Sequence, residues 1–354
     1  MAYSTISKPS LHMNTKLYAG TGASHAITGV GFQPDFTWLK SRSYADNHTM
    51  FDAVRGVTKR IFCNLTQAEA TEAQSLKTFD SNGFTLGTDT LANGGSGKTY
   101  ASWNWKANGA GSSNSDGSTT STVSANTTAG FSIIKFAGTG GNHTIGHGLG
   151  AAPEMLWFKN MSQASNWIVY HKDLQSPNGK QMYLNTTNAQ ANDTSYLQNT
   201  APGASIISLG ANADSNGNGN NIVCYAFRSI KAYSKVGFYQ GNGNTDGNFV
   251  YTGFKPKFVI IKVGYASAGS DFTNHWFIFD NELNGYNESN EYLKTDADEA
   301  LSSGTNRINF LSNGFKCRTT NDSVNSASGV YMYYAVADEP LVANVGASIP
   351  TTAR

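Results

Sequence analysis

The chain has 354 residues, a length that allows two or three domains, and only 14% of them are charged, with a formal net charge of +1. That balance argues against a nucleic-acid partner, which requires a clustered basic surface, and against binding to an anionic membrane face. The 37 glycines and a similar number of asparagines, together with 12% aromatic residues, predict a turn-rich β protein and exclude a disordered chain.

No stretch approaches about 20 consecutive apolar residues, and the N-terminal region lacks the pattern of a Sec signal peptide. We therefore expect neither membrane insertion nor Sec export. The three cysteines, Cys63, Cys224 and Cys317, form no CxxC pair, and their odd number argues against a disulfide framework or a zinc site. We predict three separate thiols.

In chain order, the predicted elements repeat three times. The first repeat begins with a strand from Leu17 to Gly22, and comparable segments begin at Lys135 and Gly237. Each is followed by a Gly-rich turn, a proline and an apolar strand that ends in a lysine. The prolines are Pro34, Pro153 and Pro256, and the lysines are Lys40, Lys159 and Lys262. In both series the second residue lies 119 positions after the first, and the third lies 103 positions after the second. Two landmarks with the same offsets indicate true internal repeats.

Each repeat closes with a long strand, at 99–105, 222–227 and 330–336, and the last two are apolar on both faces, which is typical of interior strands. Short strands and Gly/Asn turns in units of about 100–110 residues predict an all-β chain of three tandem β-sandwich domains. Jelly-roll topology is our preferred form. Little helix is expected, the one candidate being a short helix from Thr66 to Leu76.

Composition and the repeats together predict the domain boundaries. Residues 107–127 contain Val123 as their one large apolar side chain, so we predict a flexible Gly/Ser/Thr linker there. Both chain ends lie outside the repeats and are candidates for docking to neighbouring proteins. The full prediction is an N-terminal docking arm at 1–16, sandwich repeats at 17–106, 128–230 and 231–340, the linker at 107–127, and a C-terminal tail at 341–354.

Motifs with possible chemistry favour a protein without catalysis. Gly94 to Thr99 resembles the end of a phosphate-binding loop but lacks its first glycine and its helix. Asp214, Asn216 and Asn218 occupy alternate positions, as the oxygen ligands of a Ca²⁺-binding loop do. The bidentate glutamate that ends such a loop is missing, so a plain hairpin is the alternative. No nucleophile elbow or zinc-protease motif is present. We predict no enzymatic activity, no cofactor and no bound metal, with a polysaccharide-degrading enzyme as an alternative because its two acids would come from distant positions.

Candidate ligand-binding residues lie in the loop that follows each lysine-terminated strand, at 41–47, 160–166 and 263–274. These loops contain Tyr44, Tyr265 and Phe272 beside serines and asparagines. Aromatic rings next to adaptable amides suit the recognition of a sugar or a protein. The alternative is an ordinary polar loop whose aromatic side chain packs inward.

Four segments of the first repeat form a recognisable pattern: Tyr18-Ala-Gly-Thr-Gly22, Ile27-Thr-Gly-Val-Gly-Phe-Gln-Pro-Asp35, Phe51-Asp-Ala-Val-Arg-Gly56 and Phe79-Asp-Ser-Asn-Gly-Phe-Thr-Leu-Gly87. In this pattern the repeats resemble those of virion structural and tail-fibre-like proteins of tailed bacteriophages, many of them marine or environmental. The resemblance extends from about Met1 to Val342, and its motifs are specific for the family but bring no catalytic residues.

This resemblance implies a non-enzymatic component of the virion, in the tail fibre or spike, that contributes to attachment to the host surface. A capsid decoration protein is the alternative, because the chain has neither a heptad stalk nor a β-helical shaft to give it reach. The expected partners are other proteins of the virion and a host surface glycan or protein. For a phage appendage we also expect a homo-oligomer, such as a trimer.

Overall fold

The structure, a computed structural model, describes residues 5–340 except 96, 267–272, 286 and 305. It is an all-β, sandwich-type fold made of antiparallel sheets, which confirms the predicted fold class. Three units follow the predicted repeats: unit 1 (5–106), unit 2 (107–230) and unit 3 (231–340). The helices among the described residues are too short to cross a membrane. They are single turns: α1 (Thr90–Asn93), α2 (Ala213–Asn216), α3 (Asn281–Asn284) and a 3₁₀ turn (Pro9–Leu11).

Unit 1 packs a six-stranded sheet, in the order β1-β9-β3-β4-β5-β6, against a three-stranded sheet, in the order β2-β8-β7. Leu39 and Phe51 of the larger sheet meet Ile27 and Phe84 of the smaller one in the core between them. The strands are β1 (Met13–Ala19), β2 (His25–Thr28), β3 (Phe36–Ser41), β4 (Thr49–Asp52), β5 (Lys59–Phe62), β6 (Ala70–Thr71), β7 (Leu76–Asp80), β8 (Gly83–Leu86) and β9 (Thr99–Trp105).

Unit 2 packs an eight-stranded sheet, in the order β10-β11-β12-β19-β14-β15-β16-β17, against the two-stranded sheet β13-β18. Ile145 and Ile207 of the smaller sheet lie in its core. The strands are β10 (Ser112–Asn114), β11 (Ser121–Asn126), β12 (Phe131–Ala137), β13 (His143–Gly146), β14 (Met155–Asn160), β15 (Ile168–His171), β16 (Lys180–Tyr183), β17 (Ala191–Asn192), β18 (Ile206–Leu209) and β19 (Asn221–Phe227).

Unit 3 packs a five-stranded sheet, in the order β20-β27-β22-β23-β24, against a three-stranded sheet, in the order β21-β26-β25. Val259 and Phe315 meet in its core. The strands are β20 (Ser234–Gln240), β21 (Phe249–Tyr251), β22 (Phe254–Ala266), β23 (Phe277–Asp280), β24 (Leu293–Lys294), β25 (Ile308–Leu311), β26 (Gly314–Cys317) and β27 (Gly329–Pro340).

The three units share one topology. In each larger sheet the closing strand lies between the strand that begins the repeat and the lysine-terminated strand: β9, β19 and β27 occupy this central place. The second strand of each repeat pairs in the smaller sheet with the strand just before the closing one, as in a jelly roll. The strands that follow the lysine-terminated strand instead continue the larger sheet as consecutive hairpins.

The outer faces of the three larger sheets pack on one another in a shared core. Three aromatic pairs join the units there. The distances between their ring centroids are 5.9 Å for Trp38 and Trp157, 6.1 Å for Trp103 and Phe258, and 5.0 Å for Phe227 and Tyr334. One continuous buried cluster therefore contains side chains of all three units. The units are not independently folded domains, because each isolated unit would expose this aromatic face to water.

Polar contacts between units repeat in cyclic order around this core. The Trp167 indole N–H of unit 2 donates to the Phe62 carbonyl of unit 1 at 2.8 Å, and the Trp276 N–H of unit 3 donates to the Tyr183 carbonyl of unit 2 at 2.8 Å. In unit 1, His48 occupies the same place, and its Nε2 lies 2.9 Å from the Lys294 carbonyl oxygen of unit 3. Such a closed ring of equivalent interfaces is the pattern of approximate threefold symmetry within one chain.

The predicted linker at 107–127 is wrong. Strands β10 and β11 lie in this segment and extend the larger sheet of unit 2, with Val123 opposite Ile134. Buried hydroxyl groups fit the strand because they find partners, as Ser121 does with the Gly146 carbonyl at 3.0 Å. Threonine also favours strands. The segment therefore forms the edge of a sheet, although its composition suggests a flexible linker.

The predicted helix from Thr66 to Leu76 is also wrong. The segment contains the short strand β6 and then the start of β7. Tertiary bonds hold it extended: the Ser165 N–H donates to the Thr66 carbonyl, and the Glu69 N–H donates to the Met161 carbonyl of unit 2. These contacts between units outweigh the local helix propensity.

The predicted N-terminal docking arm at 1–16 belongs largely to unit 1. Met13 begins β1 and pairs with Trp105, and Ile6 is buried in the shared core. Residues 1–4 of that arm and the predicted tail at 341–354 lie outside the described residues.

Candidate functional site

The three repeated lysines do not point into solvent but close the junctions between units. Lys40 is fully buried, and its ammonium donates to the Ser41 carbonyl at 2.7 Å and to the Tyr44 carbonyl at 3.3 Å within its own loop. It also donates to the Asp298 carbonyl of unit 3 at 3.2 Å. One charged group thus ties a loop of unit 1 to its neighbour.

The other two lysines repeat this arrangement. Lys159 donates to the Ser165 carbonyl at 2.6 Å and to the Thr66 carbonyl of unit 1 at 2.9 Å. Lys262 donates to the Asn274 carbonyl and, at 3.4 Å, to the Thr186 carbonyl of unit 2. Burial lowers the pKa of Lys40 and Lys159 to about 8 and that of Lys262 to about 7.

The described residues of the loops proposed from the sequence as a ligand surface therefore contribute to junctions between units. Tyr44 is half exposed at the junction of units 1 and 3, where the Lys98 ammonium lies 4.8 Å from its ring centroid and is paired with Asp46 at 2.8 Å. Tyr265 packs against the shared core at the other side of unit 3. Phe272 lies outside the described residues. The structure does not bring Tyr44 and Tyr265 together in one site.

Asn216, one of the three candidate Ca²⁺ ligands with Asp214 and Asn218, has its side chain engaged in bonds within the protein. Asn216 is buried at the end of α2, and its carbonyl oxygen accepts from the Thr139 N–H and the His143 ring, each at 2.8 Å. Its amide group donates to the Gly141 and Gly210 carbonyls. Among the described residues, no group of three or more His, Cys, Asp or Glu is placed to hold a metal ion.

Asn216 belongs to a structural motif that occurs in every unit. Asn93 in unit 1 accepts from the Thr21 N–H and donates to the Gly87 carbonyl. Asn325 in unit 3 accepts from the Asn242 N–H and donates to the Thr319 carbonyl. Each asparagine holds the turn after the first strand of its repeat, so these polar residues have a structural role.

A surface groove that the sequence analysis missed lies between units 2 and 3. It has a volume of about 340 Å³ and runs between the edge strands β20 and β21 of unit 3 on one side and the segment after β15 of unit 2 on the other. Phe238, Phe249 and Tyr251 line it with exposed fractions of 55%, 46% and 49%. They are three of the five large hydrophobic side chains that are exposed among the described residues.

Polar groups complete the groove. The Lys235 ammonium donates to the Tyr251 carbonyl at 2.6 Å and lies 5.5 Å from the Tyr251 ring centroid. From unit 2, Lys172 lies 3.4 Å from Asp173 Oδ2 and 3.7 Å from Glu154. Asp173 Oδ2 is buried without a hydrogen-bond donor, and burial raises the pKa of this carboxyl. The groove thus combines apolar rings with both hydrogen-bond donors and acceptors, which is the usual make-up of a ligand site.

Comparison with known proteins gives a family but no activity. No curated protein sequence matches this chain. The family described as "Domain of unknown function (DUF7483)" matches residues 8–340, a span that includes all three units and their shared core. Because this match covers nearly the whole chain, the protein belongs to that family.

Proposed function

We propose that the protein is a non-enzymatic structural component of a tailed-bacteriophage virion, located in the tail fibre or spike, and that it contributes to attachment to the host surface. The resemblance of the repeats to virion proteins supports the location. The observation that carries the attachment role is the cluster of exposed aromatic side chains, Phe238, Phe249 and Tyr251, on one edge of unit 3.

Exposure of three large rings around one groove is costly in water unless a partner covers them. Soluble proteins keep contiguous apolar patches small, and larger ones mark interaction sites. Aromatic side chains also dominate the binding energy of many interfaces, because they bury a large area with few rotatable bonds. An attachment protein therefore benefits from this surface.

The location is tested by a density map of the virion. We expect the three-unit body at the tail tip or along a fibre, and labelled antibody against the purified protein should mark the same place. Density on the head or outside the virion would contradict the tail assignment.

The attachment role is tested with purified protein and host cells. We expect fluorescently labelled protein to bind cells of the host strain and to slow adsorption of the phage. The triple variant F238A/F249A/Y251A should bind at least about tenfold more weakly, whereas Tyr44→Ala, which removes an equally exposed ring elsewhere, should bind as wild type. Equal binding of both variants would contradict a role for the groove.

Capsid decoration is a second candidate, favoured by one observation. The three units close around a shared core instead of extending in a line, so the chain forms a compact body without reach. In this case the virion map would show the protein on the head surface. Its partners would then be capsid proteins, and loss of the protein would weaken the capsid without changing adsorption.

A further inference from the structure

We propose that the groove between units 2 and 3 is a binding site for a neutral glycan, with the rings of Phe238, Phe249 and Tyr251 stacking on sugar faces. This inference rests on the proposed attachment function and names its ligand class. It concerns residues that lie outside the loops favoured by the sequence. Four independent features of the groove support it.

The first feature is a comparison of the three units with one another. Strand pairing places Phe238 where unit 1 has Leu17 and unit 2 has Lys135. In the same way Phe249 corresponds to Ala26 and Thr144, and Tyr251 corresponds to Thr28 and Gly146. Units 1 and 2 build the same sandwich without aromatic residues at these surface positions. The fold therefore does not require the three rings, and a ligand that covers them accounts for their exposure.

The second feature is the floor of the groove. Gly237 has no side chain above Tyr333, and a Cβ at this position would lie 2.8 Å from the Tyr333 hydroxyl oxygen. The corresponding pairs are Lys16 with Ser102 in unit 1 and Ile134 with Cys224 in unit 2. Unit 3 alone therefore combines a small residue with a tyrosine whose side chain lines the groove. A phenol hydroxyl there can both donate to and accept from a sugar hydroxyl.

The third feature argues against a peptide strand as the ligand. A peptide that extends the sheet would need the outward backbone groups of β20. The Ser234 N–H already donates to the Ile230 carbonyl at 2.9 Å, and the Val236 N–H donates to the Ser229 hydroxyl at 3.0 Å. At the other end, the Gln240 carbonyl accepts from the Asn248 amide. These bonds shorten the stretch of β20 that a peptide strand could pair with, which favours recognition by side chains, as occurs for sugars.

The fourth feature is charge. The ammonium groups of Lys172 and Lys235 are matched by the carboxylates of Asp173 and Glu154, and Lys172 pairs with both of these acids. A polyanionic glycan would meet as much repulsion as attraction here. A neutral sugar instead needs well-placed donors and acceptors beside an apolar surface. The groove offers both.

In unit 2 the equivalent edge is not available. Strand β11 pairs along β12 and covers it, and β10 pairs in turn with β11. In unit 1 the equivalent strand, β1, is also an edge strand. A depression of about 420 Å³ lies beside it, and its lining includes Lys16, Leu17, Lys257 and Glu282 but no aromatic ring. Of these three equivalent edges, the one in unit 3 therefore carries the exposed aromatic rings among the residues that the structure describes.

The test is affinity electrophoresis of the full chain in gels that contain one polysaccharide each. Dextran, a mannan, a galactan and a β-glucan serve as neutral probes, and alginate and hyaluronate serve as acidic ones. We expect at least one neutral polysaccharide to retard wild-type protein, and F238A/F249A/Y251A to lower its affinity at least about tenfold with an unchanged Tm. Tyr44→Ala should be retarded as wild type.

Gly237→Ala provides a second variant, because it fills the floor while it keeps every aromatic ring. It should weaken retardation, whereas Gly141→Ala, where a Cβ meets no atom within 4 Å, should leave it unchanged. The proposal is overturned if no neutral polysaccharide retards the protein, if only acidic ones do, or if Tyr44→Ala abolishes retardation and the triple variant does not. Wild-type protein that binds host cells but none of these neutral glycans would leave attachment standing and refute the ligand class.

Discussion

At the scale of single residues, a few buried polar side chains hold the three units together. Lys262 illustrates the balance: its ammonium satisfies carbonyls of two units, but its burial disfavours the charged form. The stabilising bonds and the cost of desolvation oppose each other in one side chain. Its effect on stability must therefore depend on pH.

Stability should rise with pH between about 7 and 9 because of Lys262. In the unfolded chain this lysine keeps its proton up to its ordinary pKa of 10.5, whereas in the folded protein its pKa is about 7. The unfolded state thus binds more protons in this window, and the free energy of unfolding increases by up to about 1.4 kcal/mol per pH unit for this group. Urea unfolding of Lys262→Met at several pH values should show a shallower slope, while Lys77→Met, at an exposed site, should keep the wild-type slope. Parallel curves for wild type and Lys262→Met would contradict the assignment.

The buried asparagine that holds the turn after the first strand of each unit should matter more than its exposed neighbours. Asn216→Ala removes an amide that makes four hydrogen bonds and leaves the Thr139 N–H without its acceptor. We expect a loss of about 2–4 kcal/mol of unfolding free energy, measured by chemical denaturation. Asn218→Ala, two residues away and exposed, should change it by less than about 0.5 kcal/mol. A similar effect of both variants would show that Asn216 is not the structural residue.

At the scale of elements, the repeat pattern predicted the long strands correctly but the connections poorly. The closing strands are central in their sheets, as their apolar sequences indicate, because both faces are covered. The segments 66–76 and 107–127 are different. Their local sequences suggest a helix and a tether, and contacts with distant strands decide their conformation.

Limited proteolysis distinguishes strands β10 and β11 from a flexible tether. Because β11 pairs on both sides, its backbone is not available to a protease in the folded state. Proteinase K should therefore leave the backbone of residues 107–127, which connects units 1 and 2, intact over a time in which the heat-denatured protein is fully digested. Rapid cleavage within 107–127 into two stable fragments would favour the tether.

At the scale of the whole molecule, the shared core makes the three units one cooperative body. A single unit would expose the aromatic face that Trp38, Trp157 and Phe258 bury between units. The cost is large, since each ring buries about 150–250 Å² at about 25 cal/mol per Å². The family match over residues 8–340 agrees with a body of this size.

Calorimetry should therefore show a single unfolding transition for the full chain. We expect the calorimetric and van't Hoff enthalpies to agree, and unit 2 expressed alone as residues 107–230 to be aggregated or unfolded. Three separate transitions, or a folded and soluble fragment 107–230, would contradict the shared core. Light scattering on the intact protein would also test the expected homo-oligomer, which stays a prediction.

The sequence by itself determined the class of fold and the number of repeats. Alternating apolar residues, turn glycines and the spacing of Lys40, Lys159 and Lys262 are local signals, and each reports on a strand or turn of its own repeat. The burial of those lysines followed from the pairing of units and could not be read locally. A comparison of Phe238 with Leu17 and Lys135 could have indicated the groove, but only if the repeats were aligned position by position.

Tertiary structure alone decided how the units meet and which aromatic residues remain in water. Tyr44, Tyr265 and Phe238 are similar in type, and no local rule separates a ring at a junction, a ring against the core and a ring on an open edge. Their exposure depends on strands that are distant in sequence, because burial is set by the summed surface of all three units. The approximate threefold body and the aromatic groove between units 2 and 3 are consequences of that packing.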